Sequence, residues 1–218
     1  MAHPVDGVID DDAGGAAVRH LGYDARTMSS PDGRGRRRLL QAGLAAGFGA
    51  LLSPRGVTAA QDAAAAARPK EGDLLVKAGD AQQRPLRPED LPLNAPQLAA
   101  WAMDPADRTV RSGSRLNGVI LLRLDEAALA PETRARAAGG VVAYTAICTH
   151  NGCDVEDWIA DRLVLACACH ASEFDPRDGA KVLDGPAPRS LPALPLKLVD
   201  GMLVVAQPFT SRVGFERG

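Results

Sequence analysis

The chain has 218 residues, with 25 lysines and arginines against 27 aspartates and glutamates, and a formal net charge of -2. This length accommodates one domain of ordinary size together with tails. A charge so close to zero, with no long basic stripe in the C-terminal part, argues against a nucleic-acid-binding protein. The sequence contains no recognisable nucleophile triad or phosphate-binding loop and therefore does not support an independent catalytic activity.

The first 33 residues are polar, acidic around Asp10 to Asp12, and without a periodic apolar pattern. This composition predicts a disordered N-terminal extension. Met28 begins a stretch that would make a signal-peptide n-region of normal length, so translation could start at Met1 or at Met28.

Residues 34–60 have the features of an export signal. Arg36 and Arg37 are followed, after one residue, by two leucines and an apolar stretch that ends near Ser53. This order is typical of a twin-arginine (Tat) signal and predicts a periplasmic protein; the alternative is a surface basic patch before a core helix. The fifteen residues 39–53, at about 1.5 Å each, are too short for a hydrocarbon core of roughly 30 Å, which favours a cleaved signal over a retained inner-membrane anchor.

Residues 61–72 are rich in alanine and are interpreted as a linker, with a signal-peptide remainder or a frayed helix as the alternative. Residues 73–210 then contain short apolar segments broken by Gly, Pro and Asp, which predict strands of an all-β antiparallel domain. Asp200 and Gly201 predict a hairpin turn, residues 131–138 a short helix, and residues 85–105 an irregular connection. The predicted strands are Asp73–Lys77, Gly118–Leu124, Val141–Ile147, Leu163–Ala166, Leu194–Leu198 and Met202–Ala206.

Two short segments contain all four cysteines and two of the four histidines: C-T-H-N-G-C from Cys148 to Cys153, and C-A-C-H-A-S from Cys167 to Ser172. Cys148 and His150 are two residues apart, and Cys167 and His170 are three apart. Two thiolates and two imidazoles from separate loops can hold a binuclear 2Fe-2S cluster, with both cysteines on one iron and both histidines on the other.

The same four ligand atoms would suit a structural zinc ion, and four cysteines also suit a scaffold of two disulfides. The two remaining cysteines, Cys153 and Cys169, place one spare thiol in each segment. Such a pair can bridge the two loops, and a disulfide is permitted in an exported protein. This arrangement favours the iron–sulfur cluster over zinc.

The two segments resemble those of Rieske iron–sulfur proteins, specifically the disulfide-containing, high-potential branch. That branch includes the iron–sulfur subunits of ubiquinol:cytochrome c reductase and the small subunit of arsenite oxidase. Residues 184–191, which include Gly185, Pro186, Ala187 and Pro188, resemble the proline-rich loop that covers the cluster in the reductase subunits. The resemblance extends over about residues 140–206.

The resemblance implies a Rieske-type antiparallel β sandwich with a cluster-binding loop subdomain at about residues 144–192. It also implies a Cys153–Cys169 disulfide, and in the reductases an alanine-rich hinge occupies the place of residues 61–72. Two imidazoles in place of thiolates would put the reduction potential in the range of such centres, about -150 to +300 mV.

Three positions near the ligands bear on tuning and partner choice. Ser172 matches a serine that donates a hydrogen bond to cluster sulfur in high-potential relatives, whereas Phe174 stands where many of them have a hydrogen-bonding tyrosine. Asn151 stands where the quinol-oxidising subunits have a leucine against the quinone pocket, which argues against quinol oxidation.

The expected function is a one-electron carrier in a respiratory or periplasmic redox complex similar to ubiquinol:cytochrome c reductase. Its partners would be redox proteins, namely a cytochrome c, a cytochrome b or a molybdenum catalytic subunit, with quinol as a further candidate and membrane association through residues 39–53. The alternative is the Rieske subunit of a periplasmic molybdenum oxidoreductase such as arsenite oxidase; a zinc-binding module is the third. Exposed acidic residues could steer a basic partner or form a solvated loop. These are Asp154, Glu156, Asp157 and Asp161.

Overall fold

The computed structural model describes residues 55–215, and side chains from residue 58 onward. The N-terminal extension, the arginine pair Arg36 and Arg37, and the apolar stretch 39–53 lie outside these residues. Within the described range the chain forms two α-helices, three short 3-10 helices and ten strands. In chain order the α-helices and strands are α1 (Arg55–Ala66), β1 (Leu74–Lys77), β2 (Leu98–Met103), β3 (Val119–Arg123), α2 (Pro131–Arg136), β4 (Val141–Thr145), β5 (Asp157–Ile159), β6 (Val164–Cys167), β7 (Ser172–Asp175), β8 (Lys181–Asp184), β9 (Leu196–Val199) and β10 (Met202–Val205).

The strands form two antiparallel sheets. The larger has six strands in the order β4-β3-β2-β1-β10-β9, and the smaller has four in the order β5-β6-β7-β8. The larger sheet curls into a half-barrel, because Tyr144 of β4 pairs with Ala193 and the N–H of Leu194 donates to the carbonyl of Ala143 at 2.9 Å. The all-β antiparallel fold predicted from the sequence is therefore confirmed. The smaller sheet is inserted in the chain between β4 and β9 and carries the cysteine- and histidine-containing loops at one end.

The core has two parts, one inside the curled sheet and one between the two sheets. Leu75, Leu121 and Leu203 are completely buried in the first. The second contains Tyr144 and Phe174, and the Tyr144 hydroxyl donates to the carbonyl of Pro176 at 2.8 Å. Burial of each large apolar side chain stabilises the fold by about 1.5–3 kcal/mol. The second core therefore fixes the smaller sheet, and its loops, against β4.

Most predicted elements are present, and one interpretation is wrong. The six predicted strands match β1, β3, β4, β6, β9 and β10 within two residues at each end, and the short helix matches α2. Asp200 and Gly201 form the expected hairpin turn with positive φ at both residues. The interpretation of residues 85–105 as irregular is wrong for β2. This strand was not predicted because it is rich in alanine, which is depleted in strands. Its pairing with β1 on one side and β3 on the other overrides that preference.

The end of α1 is attached to the domain through its backbone. The carbonyls of residues 64–67 accept hydrogen bonds of 2.8–3.3 Å from the Arg111 guanidinium, the Gly113 N–H and the Asn117 side-chain amide. The carbonyls of the last helical turn generally lack partners within the helix, and these hydrogen bonds supply them. A Cβ on Gly113 would lie 2.8 Å from a backbone nitrogen of the helix, so the close approach needs glycine. Whether residues 61–72 act as a hinge stays a prediction. No helix among residues 55–215 is long and apolar enough to cross a membrane.

Candidate metal centre

The first ligand loop, residues 148–153, follows β4 and closes on itself. The N–H of Cys148 donates to the carbonyl of Cys153 at 2.7 Å, and the N–H of Gly152 donates to the carbonyl of Cys148 at 3.1 Å. Gly152 has a φ of +74°, a conformation that other residues rarely adopt. The loop therefore presents Cys148 towards the core and His150 towards the outside.

The second ligand loop joins β6 to β7. Cys167 is the last residue of β6 and pairs with Ser172, the first residue of β7, so that the ligands lie in the turn between two paired strands. His170 is exposed at the tip of this turn, whereas Cys167 is buried. Both ligand loops therefore place a cysteine inside and a histidine outside.

The structure brings the predicted ligands together in two pairs. The thiols of Cys148 and Cys167 are free and buried, and Cys148 is close enough to raise the pKa of the Cys167 thiol. The rings of His150 and His170 lie with their centroids 4.6 Å apart and their planes perpendicular. The two loops thus bring together one pair of cysteines and one pair of imidazoles.

The disulfide implied by the resemblance is present. Cys153 and Cys169 are bonded, with their Cα atoms 6.5 Å apart, and this bond connects the two ligand loops. The sulfur of Cys167 lies within 4.8 Å of both disulfide sulfurs. Because a disulfide sulfur is a poor metal ligand, Cys148 and Cys167 supply the available thiolates.

The environment of Cys167 shows what a bound group must provide. Burial raises the pKa of the Cys167 thiol, and the neighbouring Cys148 raises it further. The backbone N–H groups of Cys169 and His170 hydrogen-bond to the same sulfur and act in the opposite direction. Two buried thiols side by side become thiolates together only when positive charge lies between them. Bound iron would supply that charge.

His150 provides an independent test of the fit. Its Nδ1 atom is buried and has no hydrogen-bond partner among the described residues. A buried polar atom without a partner costs about 1–3 kcal/mol, so the position of this nitrogen indicates a ligand atom. Two sulfur and two nitrogen donors from separate loops match the ligands of a 2Fe-2S cluster with two irons of different ligation. Tetrahedral zinc would use the same donor types.

The proline-rich loop contacts both ligand loops. The N–H of Ala187 donates to the Ser172 hydroxyl at 3.2 Å, and the Thr149 hydroxyl donates to the carbonyl of Arg189 at 2.6 Å. A Cβ on Gly185 would lie 2.5 Å from the Cα of Ser172, so only glycine permits this approach. Both ligand loops are thereby attached to the same covering segment, in which Ala187 is buried and Pro186 and Pro188 are exposed.

The remaining predicted positions differ in exposure. Ser172 and Phe174 are buried, whereas Asn151 is exposed next to His150. Asp154 forms a 2.9 Å ion pair with Arg115, so this acidic residue has a structural partner that the sequence did not indicate. The other predicted acidic residues are exposed, namely Glu156, Asp157 and Asp161.

Some residues of the site were not identified from the sequence. Thr149 lies between the predicted ligands Cys148 and His150. This position could have indicated that its hydroxyl contacts the segment beside the site. Arg115 donates to the carbonyl of Gly152 at 2.8 Å although 37 residues separate them. The ring of Phe215 packs against Gly152. No local pattern connects Arg115 or Phe215 with the ligand loops.

The comparisons with known proteins resolve the choice between iron–sulfur and zinc. A family model described as "Rieske [2Fe-2S] domain" matches residues 110–195. A "Cytochrome bc1 complex Rieske iron-sulfur subunit" of Streptomyces lividans is 31% identical over 154 residues, which cover 68% of this chain and 89% of the relative. A "Putative respiratory nitrate reductase subunit Rieske" of Haloferax mediterranei is 42% identical over 76 residues, which are 34% of each chain.

Among solved structures, the chain is similar to the plasma membrane Rieske protein of the cyanobacterium Synechocystis. The two are 27% identical, and the match covers 50% of this chain and 84% of the other, with a TM-score of 0.33. The donor atoms, the disulfide and the relatives agree on a Rieske-type 2Fe-2S cluster as the cofactor. The chain belongs to the family of Rieske iron–sulfur proteins.

Proposed function

We propose that the protein is the one-electron carrier of a respiratory complex of the quinol:cytochrome c reductase type. The single observation that carries this proposal is the alignment with the bc1-complex subunit of S. lividans over 89% of that relative. Cys148 and Cys167 would hold one iron, and His150 and His170 the other. The bound cluster supplies a redox couple that accepts and releases one electron.

The burial of the ligands indicates where the redox partners approach. Cys148 is 1% exposed and Cys167 is 2% exposed, whereas His150 is half-buried and His170 is exposed. The imidazole side therefore offers the shorter path between the centre and a docked protein. Asn151, which follows His150, is exposed and uncharged, so contact with a partner at this residue does not depend on charge.

A second candidate is the Rieske subunit of a different respiratory oxidoreductase, with a molybdenum-containing catalytic subunit. It is favoured by the exposed amide of Asn151, because an amide is unfavourable in an apolar quinone-docking crater. The relative from H. mediterranei, named as a subunit of a respiratory nitrate reductase, gives further support.

The two candidates differ in the composition of the native complex. The full chain with an affinity tag after Gly218 would be purified from its own membranes and periplasm, and haem b, haem c and molybdenum would be quantified. The first proposal expects haem b and haem c in stoichiometric amounts and quinol:cytochrome c activity. Stoichiometric molybdenum without haem b would refute the first proposal and support the second candidate.

Position 151 allows a kinetic test in the same complex. If quinol docks beside His150, Asn151→Leu should lower the KM for quinol, because leucine adds apolar contact. Gln207→Leu is the control, since Gln207 is an exposed amide outside the ligand loops. An equal effect of the two variants on KM would contradict quinol docking at this position.

We also propose that the acidic residues beyond the first ligand loop attract a basic cytochrome c. The triple variant with Glu156, Asp157 and Asp161 changed to their amides should react several-fold more slowly with cytochrome c at low salt, and the difference should vanish at high salt. A control removes the same amount of charge from Asp62, Glu89 and Asp107, outside the smaller sheet. Equal rates for the two triple variants would refute steering by this surface.

For localisation, we propose export to the periplasm through the Tat pathway, directed by Arg36 and Arg37. Tat export suits a protein whose cofactor is inserted before the protein crosses the membrane. Replacing both arginines with lysine should leave the precursor in the cytoplasm. Because Arg38 could provide a shifted pair, the triple replacement is decisive, and its normal accumulation in the periplasm would exclude Tat dependence.

A further inference from the structure

Arg189 lies at the end of the proline-rich loop and contacts two segments that are far apart in the chain. Its backbone carbonyl accepts the 2.6 Å hydrogen bond from the Thr149 hydroxyl, within the first ligand loop. Its guanidinium Nη2 donates to the carbonyl of Arg212 at 2.8 Å and to the carbonyl of Gly214 at 2.7 Å. One residue thus connects the first ligand loop with residues 212–215, which we call the C-terminal strap.

The C-terminal strap also contacts the first ligand loop directly. A Cβ built on Gly152 would lie 3.0 Å from the ring of Phe215, so the ring packs against the loop backbone at this glycine. Val213 and Gly214 of the strap are buried. From another direction, Arg115 donates to the carbonyl of Gly152 at 2.8 Å. The loop that contains Cys148 and His150 is therefore held by contacts with three separate segments.

We propose that Arg189 is a positioning residue that holds the C-terminal strap over the first ligand loop. The first ligand loop is closed by an isolated bridge between Ile147 and Asp154, and a segment with few ladder hydrogen bonds opens more easily than one between paired strands. Fixing the strap raises the energy of opening the first loop but not that of the second, which lies between the paired strands β6 and β7. Arg189 thereby sets how often Cys148 becomes accessible and how long the cluster is retained.

The test measures the accessibility of each ligand cysteine in the full chain. In metal-free Arg189→Ala, alkylation of Cys148 by iodoacetamide, followed by mass spectrometry, should be roughly tenfold faster than in the parent chain, which corresponds to about 1.4 kcal/mol. Alkylation of Cys167 should change by much less. In the loaded protein, cluster loss to a chelator should accelerate by a similar factor. Equal acceleration at Cys148 and Cys167 would show general destabilisation and overturn the proposal.

Two further variants separate the hydrogen bonds from the charge. Arg212→Ala removes a cation from the strap but keeps the backbone carbonyl that Arg189 binds. The rate of Cys148 alkylation and the rate of cluster loss should therefore stay at the parent values. Arg189→Lys keeps the charge but lacks the guanidinium fork, so it should restore Cys148 protection only in part. Full protection in Arg189→Lys, or acceleration in Arg212→Ala, would assign the effect to charge and exclude the positioning role.

A shortened chain that ends at Val213 tests the strap without changing Arg189. It lacks the carbonyl of Gly214 and the ring of Phe215, and Cys148 should again be alkylated roughly tenfold faster. Combined with Arg189→Ala, the shortening should add little, because both changes remove the same contact. This variant also decides the outcome if Arg189→Ala does not fold. Parent-like alkylation of Cys148 in the shortened chain, or full additivity of the two changes, would refute the proposal.

Discussion

The Ser172 hydroxyl oxygen accepts a 3.2 Å hydrogen bond from the backbone N–H of Ala187. Since the hydroxyl acts as acceptor in this bond, its own proton remains available for a second partner. Ser172 is paired with the ligand Cys167 across β6 and β7, so that partner can be a sulfur atom of the centre. The same side chain therefore holds the covering loop and can stabilise negative charge on the reduced cluster.

Ser172→Ala should lower the midpoint potential by tens of millivolts, because it removes a hydrogen-bond donor to the cluster. A hydrogen bond to a charged group contributes about 1.5–3 kcal/mol, and only the part of this energy that differs between the two redox states changes the potential. Protein-film voltammetry would measure the shift. Ser190→Ala is the control, since Ser190 is exposed on the same covering segment. Equal potentials for the two variants would show that Ser172 does not tune the centre.

Phe174→Tyr should raise the midpoint potential by a similar amount, on the order of tens of millivolts, because a phenolic donor would favour the reduced state. Phe174 is 0% exposed, so the new hydroxyl must find an acceptor inside the core. Phe209→Tyr is the control, because Phe209 is partly buried and packs against the core of the larger sheet. The changes at 174 and 172 should be roughly additive. A crystal structure with the hydroxyl on ligand sulfur but an unchanged potential would contradict this account.

The ligand assignment predicts that His150→Ala abolishes the 2Fe-2S cluster. The variant would be expressed with sufficient iron, and iron, acid-labile sulfide and the electron paramagnetic resonance spectrum would be measured. Asn151→Ala is the control, because Asn151 is adjacent but exposed and carries no ligand role. An unaltered Rieske spectrum in His150→Ala, or stoichiometric zinc in the parent protein, would refute the assignment.

Replacement of both Cys153 and Cys169 by serine should keep the cluster but shorten its lifetime. The disulfide joins residues 16 apart in sequence, and closure of a loop of this size stabilises by about 3 kcal/mol in the chain-entropy description. The rate of cluster loss on heating would be compared with that of the parent protein, with and without a reductant. If the reductant accelerates loss equally in both proteins, the bond has no stabilising role.

Arg111→Met should destabilise the domain by about 3–5 kcal/mol, because it removes the buried partner of the completely buried Asp73 carboxylate and leaves only the exposed Lys70 ammonium, 3.5 Å away, as a counter-charge. Arg136→Met is the matched control. Arg136 forms an exposed ion pair with Glu132 at 3.5 Å, which contributes about 0–1 kcal/mol. Denaturant unfolding of the metal-free variants would measure both. Similar losses in the two variants would show that the buried pair has no special role.

The ligand set could be predicted because each half lies within a few consecutive residues. Cys148 with His150, and Cys167 with His170, need no knowledge of the fold. In contrast, the contact between Gly152 and Phe215 joins residues more than sixty positions apart, and only the packing of the last segment reveals it. The strand β2 escaped prediction for a related reason. Its alanines carry no strand preference, and its two neighbours determine its conformation.

The attachment of α1 has a mechanical consequence. Because Arg111, Gly113 and Asn117 bind its last carbonyls, the helix extends the domain as an arm of 12 residues, about 18 Å long at 1.5 Å per residue. A rotation of the domain and the helix as one body would then need a pivot before the start of the helix. During such a rotation the cluster would move along an arc whose radius includes the length of the helix. A small angular change at the pivot would therefore give a large displacement at the imidazoles.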